Sequence, residues 1–184
     1  YFMDFEITDG KLLRHIRNAL ISNHAITARK RKGGRKTSYR LQIGSKEMAL
    51  DLMRLGVVPR KSFRLNFPRV PKKYVSDFVR GYFDGDGHVV ISTYRRVARK
   101  SRLTRVILSG FTCANRTFLL RLHALLKEHA GIHGGSVFYN KGHRLTFSMS
   151  DSLLLYKFLY KKISASSLYL PRKRNVFKRY FKGL

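Results

Sequence analysis

The chain has few acids. Ten Asp and Glu stand against 39 Lys and Arg, a formal net charge of +29. A surface this positive calls for a polyanion, and nucleic acid leads because its phosphates release counterions when protein cations replace them. Cysteine is nearly absent: Cys113 alone excludes an internal disulfide and fits a reducing compartment or an indifferent one. Seven scattered histidines give no paired spacing for structural zinc, and Gly131 between His129 and His133 argues for a loop there. No apolar run approaches the roughly 18 residues of a spanning helix. No secretory signal is visible either, so an intracellular, non-membrane protein is expected, its compartment open.

What is present describes a folded domain. The chain of 184 residues is 43% apolar, enough for one substantial core. Its bases are dispersed, with denser runs at 28–36, 95–105 and 172–182, so the basic surface is built into the fold.

Two stretches resemble each other. A strand-like 2–8 leads into helical 9–20, and strand-like 106–112 leads into helical 115–126. Leu12, Leu13, Ile16 and Leu20 form one helical stripe; Phe118, Leu119, Leu122, Leu125 and Leu126 form the other. Asp9 and Asn115 stand at N-cap positions. A hairpin follows each helix, turning at Gly33-Gly34 and at 140–142. Each hairpin should enter a further helix through a serine: Ser45 into 46–55, Ser150 into 151–160. Between the copies, Pro71 suits the first turn of a helix, along which Tyr74/Val75, Phe78/Val79 and Tyr82/Phe83 recur every four residues. Gly85 and Gly87 should end it, and two long strands, 88–97 and 102–113, follow.

A complete unit is thus helix, strand, strand, helix, strand, strand, helix. The expected division is 1–58 as a partial first repeat, 59–70 as a linker and 71–184 as a complete second repeat. Leu12–Leu13 align with Phe118–Leu119, so Tyr1 corresponds to position 107. Repeat logic then makes the first helix and strand of the first copy, roughly 36 residues, missing from this sequence. They would be supplied upstream in cis or by a separate chain.

The segment Val79-Arg-Gly-Tyr-Phe-Asp-Gly-Asp-Gly87 concentrates two acids in a chain that has almost no others. With the flanking order of elements, it resembles the signature of the LAGLIDADG homing endonucleases, over nearly the whole chain. The resemblance implies an α+β fold of αββαββα repeats, forming a DNA-binding β-saddle with helices behind. It implies a site-specific double-strand DNA endonuclease that uses Mg²⁺. Gly81 and Gly85, four apart, would let a partner motif helix approach closely. Asp86 takes the place of the metal-binding catalytic acid, with Gly85 beside it in the metal site, and Asp84 that of an earlier acid that caps or supports the helix interface. Independently of the resemblance, a carboxylate at a helix C-terminus is electrostatically unfavourable until a cation arrives, and oxygen ligands in a hydrated site suit Mg²⁺.

Further site residues follow from the resemblance. Asp9 fits a water-ordering position, with an N-cap role as the alternative; Ala114 in the second copy departs from that pattern. Lys61 and Lys173 fit basic positions that steady the phosphate, or are lysines on a DNA-facing surface. The saddle would draw its DNA contacts from Arg29, Arg31, Arg35, Arg40, Gln42, Tyr94, Arg96, Arg102, Arg105, Tyr139, Lys141 and Arg144. Alternation puts Tyr39 and Leu41 on one face, and Ser38, Arg40 and Gln42 on the other. At the C-terminus, Val176, Phe177, Tyr180 and Phe181 fit a helix that closes the core. The rival function is a catalytically inactive relative on the same scaffold, an intron RNA maturase or a DNA-binding regulator.

Overall fold

The computed structural model describes residues 1–30, 33–34, 36–57, 67–96 and 102–182, and divides into two compact units, Tyr1–Val57 and Val58–Leu184.

The first unit runs β1 (Phe2–Ile7), α1 (Gly10–Ala19), β2 (Ile26–Arg29), β3 (Ser38–Gly44) and α2 (Lys46–Arg54), its antiparallel strands in the order β1-β3-β2. Side-chain caps begin both helices: Asp9 accepts from the Leu12 amide at 3.0 Å and Ser45 from the Met48 amide at 3.1 Å. Met3, Leu41 and Ile43 alternate toward the helices and meet Leu13 and Ala49 in a small core. Phe2, Asp4, Glu6, Arg40 and Gln42 therefore point to the opposite, open face. Ser38 shares that parity yet is buried, its hydroxyl donating to Glu6 at 2.8 Å.

The second unit is larger. After a 3₁₀ turn at Lys72–Tyr74 come α3 (Val75–Asp86), β4 (Gly87–Arg96), β5 (Arg102–Cys113), α4 (Arg116–Ala130), β6 (Ser136–Tyr139), β7 (His143–Phe147), α5 (Met149–Tyr160) and α6 (Pro171–Phe181). Its antiparallel strand order, β4-β5-β7-β6, is that of the first unit with one strand added at the β5 edge. Val75, Val79 and Phe83, spaced by four, bury one side of α3 against Ile107 and Phe111 of β5. Phe83 packs edge-on to Phe111, with ring centroids 5.5 Å apart, and Phe111 likewise to Phe147 at 6.5 Å. Leu119, Leu122 and Leu126 of α4, Leu155 and Leu159 of α5, and Phe177 and Tyr180 of α6 complete the core. The terminal helix does close the core, its buried positions falling at Phe177 and Tyr180.

Several boundaries differ from the sequence expectation. The motif helix continues through Gly85 to Asp86, and Gly87 alone is its C-cap. Pro71 precedes the short 3₁₀ turn, where the Tyr74 amide donates to its carbonyl at 2.8 Å, and not the α-helix itself. Helix α5 begins at Met149 after an extended Ser148, two residues ahead of the expected entry through Ser150. Asp151 is buried there and accepts from the His133 and Gly134 amides at 3.0 and 3.1 Å, fixing a neighbouring loop instead of starting its own helix. The end of the expected linker also belongs to the second unit: Phe67 packs on Phe78 and Phe118, with centroids at 5.8 and 5.1 Å.

Candidate active site and nucleic-acid interface

The acid-bearing end of α3 is held by α6. Lys173, 6% exposed, sends its ammonium to the carbonyls of Phe83 (2.6 Å), Asp84 (2.9 Å) and Gly87 (2.6 Å). An ammonium has three protons, and all three are committed to the carbonyls that end the helix. A cation at a helix C-terminus also opposes the negative end of the macrodipole. Reciprocally, Asp84 Oδ2 accepts from the Leu170 amide at 2.8 Å, at the N-terminus of α6, where negative charge is favoured. Each helix end is thus capped by a charged side chain from the other helix. The other Asp84 oxygen is buried without a hydrogen-bond partner among the described residues. Burial pushes the Asp84 carboxyl up to about 6, against the Leu170 amide and the charges of Lys173, Arg80 and Arg172. Burial, reinforced by the Arg172 charge, pushes the Lys173 ammonium down to about 8, against Asp84 and Asp86.

Asp86 itself is exposed at the last helical position. The chain then turns straight into β4 at Gly87, where a Cβ would strike the side chain and carbonyl of Phe83, so only glycine permits that turn. Gly81 and Gly85 are different: a Cβ at either meets nothing within 4 Å, and both lie on an exposed side of α3.

Strand parity sets the rest. In the second unit His88, Val90, Ser92 and Tyr94 of β4 and Leu108, Gly110 and Thr112 of β5 share the face turned away from the helices, with Arg144 and Phe138 beside them on β7 and β6. Arg144 is half-buried, and its Nε has no partner among the described residues. In the first unit Arg40 is engaged by Asp4, and Arg29 lies 4.0 Å from Glu6.

No family model matches the sequence. The probable translation initiation factor IF-2 of Thermococcus kodakarensis is 42% identical over 69 residues, 33% of this chain, and the chain spans about 6% of that relative's length. Solved structures match far more of the chain. The LAGLIDADG meganuclease I-AabMI, bound to uncleaved DNA, gives a TM-score of 0.60 at 13% identity over 95% of this chain and 77% of that one. The homing endonuclease I-WcaI, bound to its DNA recognition sequence, gives 0.61 at 16% over 95% and 74%. The homing endonuclease I-SmaMI, bound to cleaved DNA, gives 0.61 at 11% over 96% and 76%. This chain has the LAGLIDADG homing-endonuclease fold.

Within the LAGLIDADG fold the expected site residues fall in several places. Asp86, Gly85, Asp84 and Lys173 come together at one helix end, but Lys173 as a capping group and not as an outward-facing cation. Asp9 serves as the N-cap of α1, in the same way that Asn115 accepts from the Phe118 amide at 3.2 Å to cap α4. Gln42, Arg40, Tyr94 and Arg144 lie on open sheet faces, and Tyr139 and Lys141 are exposed at the β6–β7 turn. Arg105, also expected among the DNA contacts, is placed differently. It has the parity of Ile107, so its guanidinium lies over the Tyr180 ring at 5.4 Å and donates to the Arg179 carbonyl at 3.4 Å, on the helix side. Lys61, Arg31 and Arg35 lie outside the described residues. Arg96 and Arg102 are opposite one another at the end of the β4–β5 pair, and their side chains are likewise outside the description. His88 was not among the expected residues. Two positions beyond Asp86, it takes the open face by alternation, and burial with the charges of Arg144 and Lys173 holds its pKa below the ordinary value.

Proposed function

We propose that the chain is a DNA-binding endonuclease that hydrolyses phosphodiesters at Asp86 with a divalent cation. The observation that carries this reading is the exposed Asp86 carboxylate, held at the end of a helix whose last carbonyls are locked by Lys173. The DNA-bound relatives of this fold support it, as does a net charge of +29.

The donor set fits magnesium. Among the described residues no group of three His, Cys, Asp or Glu could form an all-protein cage. Mg²⁺ commonly takes one or two carboxylates and fills its shell with water and substrate phosphate oxygens. Asp86, with the main-chain carbonyl of Gly85, would hold it. When bound, such an ion neutralises charge on the scissile phosphate and makes water a stronger nucleophile. The protein's own part is positional. Lys173 and Asp84 fix where Asp86 stands, and the open sheet faces set the register of the duplex through phosphate contacts. One motif helix supplies one such centre, so a monomeric 1–184 polypeptide is expected to cut one strand and not both.

The commitment of Lys173 to main-chain carbonyls favours a second reading, a binding protein without cleavage. A nicking assay on supercoiled plasmid carrying a selected target, with Mg²⁺ or EDTA, separates them. Cleavage in Mg²⁺, lost roughly 100-fold or more in Asp86→Asn while duplex affinity holds, supports the enzyme. Metal-independent binding with no strand cut by wild type sinks it.

A further inference from the structure

Asp4 and Arg40 form a two-point ion pair on the open face of β1-β3-β2. Arg40 Nε donates to Oδ1 at 2.8 Å and to Oδ2 at 3.0 Å, and Nη2 donates to Oδ2 at 2.6 Å. The register sets Arg40 opposite Glu6 and Asp4 opposite Gln42, so this is a diagonal contact that the sheet itself does not impose. The side chains are 25% and 43% exposed. An ion pair that open to water contributes little to stability, too little to explain why an acid stands there. Against a phosphate backbone a carboxylate is also repulsive. In a chain with ten acids and 39 bases, this one has another use.

The geometry shows which. A guanidinium carries five N–H groups in one rigid plane. Asp4 occupies the edge made by Nε and the near hydrogen of Nη2. The outer edge, one hydrogen each on Nη1 and Nη2, is left parallel and fixed in direction. Two parallel donors are what the O6 and N7 acceptors of guanine require in the major groove. A phosphate can accept the same pair of donors, but only a base contact carries sequence information, so a base preference is the readout that tells the two apart. Arg29, with its longer approach to Glu6 at 4.0 Å, has no comparable clamp.

We propose that Asp4 is a positioning residue that presents the outer edge of Arg40 to a guanine, so that the first unit reads guanine at one position of its duplex target. This rests on the DNA-binding reading above and deepens it.

The test is sequence selection by the 1–184 protein from a randomised duplex library. Titrations then follow with each base at each selected position, for wild type, Asp4→Ala, Asp4→Asn and Arg40→Ala. Wild type should prefer guanine at one position by about tenfold. Arg40→Ala should abolish that preference and Asp4→Ala should flatten it, while Asp4→Ala binds unselected duplex at least as well as wild type, a negative charge having gone. Asp4→Asn keeps the shape and one acceptor and should fall between; it also serves if the alanine variant melts early in a thermal scan. If Asp4→Ala tightens every duplex equally and keeps the guanine preference, Asp4 merely masks charge and the proposal is wrong. A wild-type site with no Arg40-dependent guanine overturns it as well. Failure to bind any duplex would instead strike the DNA-binding reading first, and this one with it.

Discussion

The two units share a strand order and differ in what they do with it. Among the described residues the second buries a cluster of sixteen apolar residues laced with aromatic rings, while the first buries five. Their open faces differ in the opposite sense. Val90, Leu108 and Phe138 leave the second unit's face substantially apolar, at 46%, 37% and 44% exposed. The first unit's face carries acids paired with arginines. Alternation and helix caps preserve topology between the copies, whereas side chains on the open face are released from packing and diverge. The second unit spends its chemistry on rigidity around one acid; the first spends it on ordering cations.

The largest expected effect tests that inequality in the cores. Phe83→Ala should cost the second unit about 3–5 kcal/mol, measurable by urea denaturation, since the ring is fully buried against Phe111 and Phe177. Leu13→Ala should cost about 2–5 kcal/mol. Drawn from a five-residue cluster, that loss should unfold the first unit alone, visible as limited proteolysis confined to Tyr1–Val57. Simultaneous melting of both units in Leu13→Ala would break the comparison.

A smaller effect sharpens the account of the acid-bearing helix. Lys173→Met keeps the length of the side chain and removes three charge-assisted hydrogen bonds, each of a kind worth about 1.5–3 kcal/mol. Because the buried ammonium is itself costly, the net loss should be about 2–3 kcal/mol, with faster amide exchange at Gly87, whose N–H donates to Phe83. A phosphate-binding lysine would leave stability and exchange unchanged and weaken only the DNA step.

The smallest effect lies on the first unit's face. The Arg40 hydrogen bond holds the Asp4 carboxyl below its ordinary value of 3.8. A carboxyl with a depressed native pKa contributes stability that is fully present above its unfolded value and is lost as pH falls through the native one. Asp4→Ala should therefore match wild type more closely below pH 3.8 than above it, in denaturant melts of the isolated first unit or by exchange at β1 in the full chain. An equal difference at all pH values would mean that the pair contributes nothing through charge.

Much of this was legible without coordinates. The motif announces its helix, Asp9, Ser45 and Asn115 announce three helix starts, and alternation separates Leu41 from Arg40 correctly. What escaped depends on distance or register. Lys173 bonds to main-chain atoms 86 to 90 residues away, and a carbonyl has no sequence signature. Ser148 and Ser150 are equally good caps by type; the helix starts after Ser148, whose side chain makes no capping hydrogen bond, while Asp151 is engaged by the His133 and Gly134 amides. Arg105 and the Asp4–Arg40 diagonal become visible only when the strand pairing is known.

The reciprocal clasp between α3 and α6 has a consequence for biosynthesis. Its halves are made far apart in time: Asp84 leaves the ribosome 86 residues before Leu170, its partner. Until α6 has emerged, the end of α3 has no ammonium to seat it and Asp86 no fixed bearing. A nascent or prematurely terminated polypeptide would thus present its acid-bearing helix end without the clasp that seats it.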